Sequence, residues 1–295
     1  MLIVVAGASG FLGTALTNEL TAQGHLVVAL RRSSSPSKPE EWNPRRGEVD
    51  QALIDRSDVV INLAGSPISA WPRTQKRKHA ILRSRVESTA TLADAISESP
   101  NPAVCLSASG MSWYGTDRGD EVLSESGTRG TGFLAGVAHA WESAAQSAVE
   151  AGARVAFLRT SLVLDAAGGA LKLMRIPFMF GAGGRLGSGK QYFSHISRRD
   201  WVTAVVHVMN SEIAGPVNLA NPNPVRNREF TKALGRALRR PAVIPVPAWA
   251  LRLVLGSIAE DLLGSLRLEP TVLLESGFEF ADPTIDATLE TGLTS

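Results

Sequence analysis

Short apolar runs alternate with segments of helical periodicity along the first half of the chain. Leu2 to Ala6 and Leu26 to Leu30 are apolar runs, and the residues between them place Leu12, Leu16 and Leu20 at helical spacing. This strand, helix and strand occupy about thirty residues, which is the length of one βαβ unit. We therefore predict a parallel sheet.

The alternation continues through three more apolar runs, Val59 to Leu63, Ala103 to Leu106 and Val155 to Leu158, with helical stretches near 74–97 and 133–151. This order of elements is typical of an α/β fold with a doubly wound parallel sheet. In such folds ligands bind at the carboxyl ends of the strands.

Two later segments interrupt the pattern. Residues 33–47 lack periodicity and are predicted to form an exposed loop, and 165–194 are rich in glycine without a long periodic run. After about residue 221 prolines become frequent around a predicted helix at 229–238 and a leucine-rich stretch at 249–268. We expect a small second lobe there.

Composition narrows the class of protein. The 44% of hydrophobic and 20% of charged residues are near the averages for soluble globular chains. The single cysteine, Cys105, excludes a disulfide framework and a Cys-rich zinc site. The 30 basic and 28 acidic residues do not favour nucleic-acid binding, and the basic stretch from Arg73 to Arg85 has only Trp71 nearby for stacking. No apolar run approaches the roughly 20 residues of a membrane span, so we expect a cytoplasmic protein that binds neither membrane nor nucleic acid.

Glycines stand between the first strand and the first helix, as Gly7-Ala-Ser-Gly-Phe-Leu-Gly13. Glycine there permits a tight turn and a close approach of the backbone to a pyrophosphate, and the helix N-terminus offers free N–H donors. The spacing differs by one residue from the general Gly-x-Gly-x-x-Gly fingerprint. An ordinary glycine-rich turn is the alternative. The pattern predicts a dinucleotide site contacted by Gly7, Ser9, Gly10, Phe11, Leu12 and Gly13.

Two further strand ends refine this site. Arg31 and Arg32 follow the second strand, where a carboxylate would favour NAD, and two guanidiniums there predict NADP because they can pair with a 2′-phosphate. A solvated arginine pair is the alternative. The strand from Asp58 ends in Asn62, Leu63, Ala64 and Gly65. Small residues at a strand end leave room for a ribose or adenosine, although a plain turn is equally compatible.

Several motifs together resemble one protein family. The Gly7, Gly10 and Gly13 pattern, the Asn62 to Gly65 strand end and the segment from Ser107 to Gly115 are similar to the extended short-chain dehydrogenases/reductases of the NAD-dependent epimerase/dehydratase superfamily. Motifs further along the chain resemble one group of this superfamily, the atypical epimerase family protein group. These later motifs are Phe133-Leu-Ala, Trp141-Glu142, Arg159-Thr-Ser-Leu-Val-Leu164, Gly183 to Gln191, Asn221-Pro222, Pro245-Val-Pro247 and Gly277-Phe278-Glu-Phe280.

The resemblance implies a nicotinamide-cofactor-binding Rossmann domain with a small mixed C-terminal substrate lobe. We expect the NADP-binding domain over 1–165 together with about 195–221, and the substrate or lid lobe over 166–194 and 222–295. The residues that the resemblance assigns to NADP are Arg31, Arg32, Leu63, Ala64, Arg85 and Val163. From the sequence alone, Arg85 is one of several cations on a basic helix, where a solvated face is the simpler interpretation.

The usual catalytic pair of this family is absent. Short-chain dehydrogenases use a tyrosine as acid/base with a lysine four residues later. Here Arg118 follows Tyr114 at that distance and Ile196 follows Tyr192, so there is no Tyr-x-x-x-Lys. Metal ligands are not predicted.

Ser109 and Tyr114 are the candidates that remain. The resemblance places the orienting serine at Ser109, and Tyr114 is the nearest phenol, with Arg118, Arg159 or His139 as the cation that would help it ionise. The alternative is that both residues only line a cofactor pocket. The family's Trp-Ile-His-x-x-Asp motif stands here as His195-Ile-Ser-Arg-Arg-Asp200, so a substrate is not inherited from relatives, while Asp200 is expected to orient the lid.

Two functions are compatible with these residues. The first is an NADP-dependent oxidoreductase or epimerase-like enzyme that acts on a small, unidentified carbonyl or hydroxyl compound. The second is a non-catalytic NADP(H)-sensing regulatory protein, which the missing Tyr and Lys pair favours. Helices at 74–97 and 133–151 make a homodimer an expectation by analogy only.

Overall fold

The computed structural model describes residues 1–68 and 72–294, and it contains thirteen strands among them. The strands are β1 (Leu2–Ala6), β2 (Leu26–Arg32), β3 (Glu41–Trp42), β4 (Val59–Asn62), β5 (Val104–Gly110), β6 (Val122–Leu123), β7 (Val155–Thr160), β8 (Leu162–Leu164), β9 (Tyr192–Phe193), β10 (His195–Ser197), β11 (Gly215–Leu219), β12 (Val225–Arg226) and β13 (Arg267–Leu268).

Twelve helices and one 3₁₀ turn, Met111–Tyr114, accompany the strands in the described residues. The helices are α1 (Phe11–Ala22), α2 (Gln51–Asp55), α3 (Gln75–Ser97), α4 (Phe133–Ser143), α5 (Gln146–Glu150), α6 (Gly169–Met179), α7 (Arg198–Met209), α8 (Asn227–Leu238), α9 (Ala248–Leu255), α10 (Ile258–Leu263), α11 (Thr271–Glu275) and α12 (Ile285–Thr294). Side chains cap several of them, as where Thr74 accepts a hydrogen bond from the backbone N–H of Arg77 at the start of α3.

Seven parallel strands form the central sheet in the order β11-β7-β5-β4-β1-β2-β3. The order reverses direction between β1 and β4, and this switch point is where open α/β sheets bind ligands. The predicted doubly wound, Rossmann-type α/β class is therefore confirmed.

The two faces of the sheet bury different residues of the same strand. In β1, Ile3 and Val5 join the apolar cluster under α1 and α7, whereas Val4 and Ala6 join the cluster under α2, α3 and α5. Alternation of this kind is a consequence of the two-residue period of a strand. Because both faces are covered by helices, both sets of residues are apolar.

A third apolar cluster lies in the small lobe and joins α6, α8 and α12. Phe193 stacks on Phe230 with ring centroids 4.4 Å apart, and Leu171 and Phe178 of α6 pack in the same cluster. The boundary between the two lobes stays a prediction. Leu273 of α11 lies in the predicted lobe segment but is buried in the cluster under α1 and α7.

Two loop predictions are wrong in part. Residues 165–194 contain the eleven-residue helix α6, whose apolar residues occupy both of its faces and so hide the helical period. Residues 33–47 contain the short strand β3, and Trp42 in it is 1% exposed because it packs beneath the edge of the sheet. Trp71 lies outside the described residues.

Candidate cofactor and active site

The predicted cofactor residues come from loops at one edge of the sheet. Ala6 at the end of β1 pairs in register with Leu30 of β2 on one side and Asn62 of β4 on the other. The loops after these three strands therefore begin at the same level, and Ser107 of β5 continues the register next to Asn62. The structure brings the Gly-rich turn, the arginine pair and the Leu63 to Gly65 turn to one place.

The glycines of the first turn are required by packing. Gly7 has φ +84°, and a Cβ atom there would lie 2.7 Å from the carbonyl carbon of Leu63. At Gly13 a Cβ atom would lie 2.2 Å from the carbonyl oxygen of Gly7. The turn, helix α1 and the loop after β4 thus approach one another more closely than any side chain allows.

The N-terminus of α1 is open to an anion. Gly10 is the N-cap residue, no side chain caps the helix, and its first turn contains no acidic residue. The free N–H groups and the positive end of the helix dipole therefore have no anionic partner from the described part of the chain. Ser9 and Gly10 are exposed beside this N-terminus.

Phe11 and Leu12 connect the turn to the glycine-rich segment after β8. Both residues pack against the cluster that contains Val163, which is 7% exposed. A Cβ atom at Gly168 would lie 2.4 Å from the ring of Phe11. Val163 is therefore placed across the turn from α1, on the side of the small lobe.

Arg31 and Arg32 end β2 with exposed side chains. Their backbone pairs with Glu41 and Trp42 of β3. Neither guanidinium forms an ion pair with a residue that the structure describes. Two exposed cations without an ion pair to a described residue therefore follow the strand next to β1, which favours a phosphate at this edge.

Asn62 shapes the turn after β4. Its buried side chain accepts a hydrogen bond from the backbone N–H of Ala64 at 3.0 Å and donates one to the hydroxyl of Thr89 at 2.8 Å. This holds Leu63, Ala64 and Gly65 against α3, with Gly65 exposed.

Arg85 lies directly beside that turn as a buried cation without a carboxylate. It is 7% exposed, donates to the carbonyl oxygen of Ser66 at 2.9 Å, and covers the ring of Trp141 at 4.8 Å. Burial lowers the pKa of Arg85 to about 10, so it stays charged at neutral pH. Its Nε and the Nε1 of Trp141 have no partner among the described residues. An uncompensated buried charge of this kind is stabilised by an anionic ligand.

A hydrogen-bonded chain extends inward from the end of β5. The hydroxyl of Ser109 donates to Oε1 of Glu142 at 2.6 Å. Arg159 holds both oxygens of that carboxylate, with Nε and Nη2 at 2.9 and 3.0 Å, and donates through Nη1 to the Tyr114 hydroxyl at 3.1 Å. The structure thus brings Ser109 and Tyr114 into one network through Glu142 and Arg159.

Tyr114 is completely buried in this network. Its hydroxyl donates to Oδ1 of Asn218 at 2.8 Å and accepts from Arg159, and burial raises its pKa despite the opposing effect of Arg159. Of the three cations considered for it, only Arg159 reaches the hydroxyl. Arg118 pairs with Glu121, and His139 meets Trp113 edge to face. An acid/base role for Tyr114 stays a prediction, and its burial does not favour one.

Helix α4 contributes Glu142 to this network. Its inner face presents Leu134 and Ala138, four residues apart and both buried, followed by Trp141 and Glu142. The sequence did not predict Glu142 as a site residue. The available signal was one acidic residue on the apolar face of a helix.

His195 and Asp200, at the two ends of the segment that departs from the family motif, are buried in the structure. His195 is fully buried and has no hydrogen-bond partner at Nε2 among the described residues. Asp200 is also fully buried and accepts from the backbone N–H groups of Ala281 and Asp282 at 2.8 and 2.9 Å. Asp200 therefore positions the C-terminal segment, whereas its role in orienting a lid stays a prediction.

The residues at the sheet edge fit a dinucleotide. The glycine turn excludes side chains, the helix N-terminus is uncapped, and Arg31, Arg32 and Arg85 supply cations without acidic partners. In the described residues, no group of three His, Cys, Asp or Glu side chains could hold a metal ion. No helix in the same residues has the length and apolarity to cross a membrane.

Two family models match this chain. Residues 3–220 match the NAD dependent epimerase/dehydratase family, and residues 246–291 match a domain of unknown function, DUF1731. The first match includes the central sheet and every predicted cofactor residue. The second falls within 222–295, part of the segment predicted to form the small lobe.

Similar proteins are known from several organisms. The epimerase family protein Mb2239 of Mycobacterium bovis is 40% identical over 290 residues, covering 97% of this chain and 96% of that protein. The crystal structure of human epimerase family protein SDR39U1 (isoform 2) with NADPH has a TM-score of 0.85 at 30% identity and covers 99% of both chains. The UDP-glucose 4-epimerase of Thermotoga maritima, with a TM-score of 0.74 at 17% identity, covers 99% of this chain and 98% of its own and shares the fold.

Proposed function

The chain belongs to the NAD dependent epimerase/dehydratase family, and on that basis we propose that it binds NADP(H) and catalyses oxidoreductase or epimerase-like chemistry on a small carbonyl or hydroxyl compound. The observation that carries this proposal is the glycine turn at Gly7 and Gly13, because it leaves no room for side chains beside an uncapped helix N-terminus. A turn of this geometry accommodates a pyrophosphate.

The preference for NADP over NAD is inferred from the end of β2. Arg31 and Arg32 are exposed, carry no acidic partner in the described structure and stand where a carboxylate would contact a ribose 2′-hydroxyl. Guanidiniums instead pair with a 2′-phosphate. The NADPH in the human SDR39U1 structure supports the same assignment for this chain.

Arg85 supplies a second, independent argument for an anionic ligand. A buried guanidinium on the ring of Trp141 with no carboxylate in contact is costly unless a ligand compensates its charge. We place the cofactor against the turn from Leu63 to Gly65, which is held beside Arg85 by Asn62.

Bound NADP would supply the hydride donor or acceptor, and the protein would orient the substrate and move its proton. Ser109 donates its hydrogen to Glu142, so its oxygen is free to accept a hydrogen bond from a substrate hydroxyl. On oxidation of that hydroxyl, its proton would pass to Ser109 Oγ while the Ser109 proton passes to Glu142 Oε1. We therefore assign the contact with substrate to Ser109 and a positioning role to Tyr114, which holds Arg159 in place.

A non-catalytic NADP(H) sensor is the second candidate. The observation that favours it is the absence of a Tyr-x-x-x-Lys sequence from a chain that keeps the Gly7 turn and the Arg31-Arg32 pair. A sensor needs a partner whose affinity differs between the free and the NADP(H)-bound protein. A partner bound equally tightly in both states would contradict the sensor.

Cofactor binding is tested by titrating the nucleotide-stripped protein with NADPH and NADH at fixed salt concentration. We expect the wild type to prefer NADPH at least tenfold, or about 1.4 kcal/mol. In Arg31→Ala/Arg32→Ala this preference should disappear. Arg45→Ala/Arg46→Ala, which removes two exposed arginines from the neighbouring loop, is the matched control and should keep it. Failure of the wild type to bind either nucleotide would contradict the proposal.

Catalysis is tested with a panel of carbonyl compounds and NADPH. Ser109→Ala should keep wild-type NADPH affinity and lose most turnover of any compound found. Tyr114→Phe should retain more turnover because the Tyr114 hydroxyl is buried and already bonded to Asn218 and Arg159. If NADPH binds with the expected preference but no compound turns over, the sensor becomes the favoured function.

A further inference from the structure

Exposed apolar side chains concentrate on one part of the small lobe. Of the fourteen large apolar side chains that are exposed in the described residues, nine fall within 173–180 and 243–254. They are Leu173, Ile176, Met179, Phe180, Val243, Ile244, Trp249, Leu253 and Val254. Isolated exposed apolar residues are normal, but a concentration of this size marks an interaction surface.

Helix α6 is apolar on both of its faces. Leu171 and Phe178 are buried in the cluster of the small lobe, while Leu173, Ile176 and Phe180 follow one another at helical spacing on the opposite face. Phe180 is 83% exposed. A helix that is apolar on two faces is normally covered on both.

Helix α9 is apolar, although none of its side chains is buried. Seven of its eight residues are apolar, the exception being Arg252, and none of them is buried. Trp249 and Leu253 stand four residues apart on its exposed face. Burial within the lobe therefore does not explain why this helix is apolar.

The segments next to the two helices lie side by side. The segments that follow α6 and precede α9 are joined by backbone hydrogen bonds from Ile244 to Gly183 at 3.1 Å and from Val246 to Arg185 at 2.9 Å. A Cβ atom at Gly184 would collide with the carbonyl of Ile244, so the two segments are in direct contact. We call this surface the α6–α9 face.

The segments that carry the α6–α9 face contain cations and no acidic residue of their own. Residues 166–199 and 230–259 contain eleven lysines and arginines and no aspartate or glutamate, although the whole chain has 28 acidic residues. Lys172 and Arg175 on α6 form no ion pair with a described residue. Acidic side chains from outside these segments pair with four of the other cations, as Asp165 with Arg198, Asp282 with Arg199, Asp286 with Arg236 and Glu260 with Arg252.

We propose that the α6–α9 face docks on the surface of an anionic lipid bilayer. Exposed Trp and aliphatic residues among Lys and Arg are the combination that binds helices in the interfacial plane of a membrane. A second copy of this chain is a poorer occupant, because a twofold interface would place the same cations against one another. The proposal does not rest on cofactor binding, since the face lies outside the glycine turn and the Ser109 network.

The test is sedimentation of the full chain with vesicles, made of phosphatidylcholine alone or of equal parts phosphatidylcholine and phosphatidylglycerol. We expect binding to the anionic vesicles only, weakened by added salt. Phe180→Ser/Leu253→Ser should weaken it at least tenfold, and Lys172→Gln/Arg175→Gln should weaken it and reduce its dependence on salt. Leu26→Ser/Val149→Ser removes exposed apolar residues elsewhere, and this matched control should bind like the wild type.

Each other outcome overturns the proposal. If the wild type does not sediment with anionic vesicles, or if Phe180→Ser/Leu253→Ser sediments with them as the wild type does, the face is not a membrane surface. If analytical ultracentrifugation without vesicles shows a wild-type dimer that this variant converts to a monomer, the occupant is a second copy. Every substituted residue is exposed except the half-buried Arg175, and circular dichroism of each variant verifies that it is folded.

Discussion

Replacing glycine with alanine should be harmful in the turn after β1 and harmless on the exposed side of α4. At Gly13 a Cβ atom would lie 2.2 Å from the carbonyl oxygen of Gly7, so Gly13→Ala must displace backbone. We expect at least a tenfold loss of NADPH affinity together with lower stability, measured by titration and thermal unfolding. Gly136→Ala is the control, because its Cβ would meet nothing within 4 Å on the exposed side of α4. It should leave affinity unchanged and stabilise the helix by about 0.5 to 1 kcal/mol.

The ion pair between Glu142 and Arg159 should contribute far more to stability than its exposed counterparts. Both side chains are buried, so Glu142→Gln leaves a buried guanidinium without a carboxylate. The expected cost is about 3 to 5 kcal/mol in the free energy of unfolding, measured with urea. Glu87→Gln breaks the pair with the exposed Arg83 on α3 and should cost less than about 1 kcal/mol. Equal costs for the two variants would show that the network does not act as a buried pair.

His195 should make the protein less stable in mild acid. Its complete burial lowers its pKa from 6.5 to about 4. Between these two values the unfolded chain binds a proton that the folded chain does not, so the free energy of unfolding falls as pH decreases from 6.5 towards 4. The full effect is about 3 kcal/mol.

The measurement is the urea midpoint of the wild type and of His195→Gln from pH 7.5 to pH 4.5. The difference between their slopes isolates His195 from carboxyl groups such as Asp200, whose pKa is raised by burial. His79→Gln, at an exposed position of α3, should keep the wild-type slope. Parallel curves for the wild type and His195→Gln would contradict the prediction.

The end of helix α8 holds the single non-glycine residue with positive φ among those described. Arg239 is its C-cap residue at φ 52° and ψ 44°, a left-handed conformation that glycine adopts without steric cost. Arg239→Gly should therefore raise the free energy of unfolding by about 1 kcal/mol. The reverse change, Gly277→Ala at φ +79° with open space around it, should lower it by a similar amount. Both are measured by thermal unfolding, and a loss of stability in Arg239→Gly would contradict the argument.

Strands and helices could be predicted from the sequence where their hydrophobic pattern was regular. The five predicted strands of the sheet, β1, β2, β4, β5 and β7, contain apolar runs because helices cover both faces. Helix α6 was missed because its second apolar face has no partner within the lobe, and the helical period is visible only when one face is polar. Strand β3 was missed because two residues are too few for a period, although Trp42 is buried in it.

The candidate site could be predicted only as far as its local motifs. The glycine turn and the arginine pair are each contained in a few neighbouring residues, so their sequence context identified them. The Ser109 network joins residues that are 33 positions apart at Glu142 and 104 positions apart between Tyr114 and Asn218. Such pairings depend on strand order, which a single sequence does not contain, and Arg85 was therefore named only through family resemblance.

Membrane association, as a property of the whole molecule, could not be predicted from the sequence either. Hydropathy along the sequence reports only whether an apolar run could span a bilayer, and among the described residues no helix could. A helix that lies on a bilayer needs only one apolar face beside cations. The proposed α6–α9 face becomes visible once the fold shows which apolar side chains stay exposed.

The two lobes should unfold together, because the chain returns to the sheet after it has formed the small lobe. Leu273 of α11 is fully buried with residues of β7, β11 and α7, far from it in sequence. Leu273→Ala should therefore cost about 2 to 5 kcal/mol. The adjacent Leu274, 45% exposed on the same helix, is the matched control, and Leu274→Ala should change stability by less than about 0.5 kcal/mol.

Far-UV circular dichroism and NADPH binding are measured for each variant over the same series of urea concentrations. If α11 is part of the sheet's core, Leu273→Ala shifts both midpoints by the same amount, because loss of the small lobe uncovers β11 and α7. A variant that loses part of its helical signal at low urea while it binds NADPH up to the wild-type midpoint would show two independent units. In that case residues 222–295 would fold as a separate domain, and the cofactor site would need none of them.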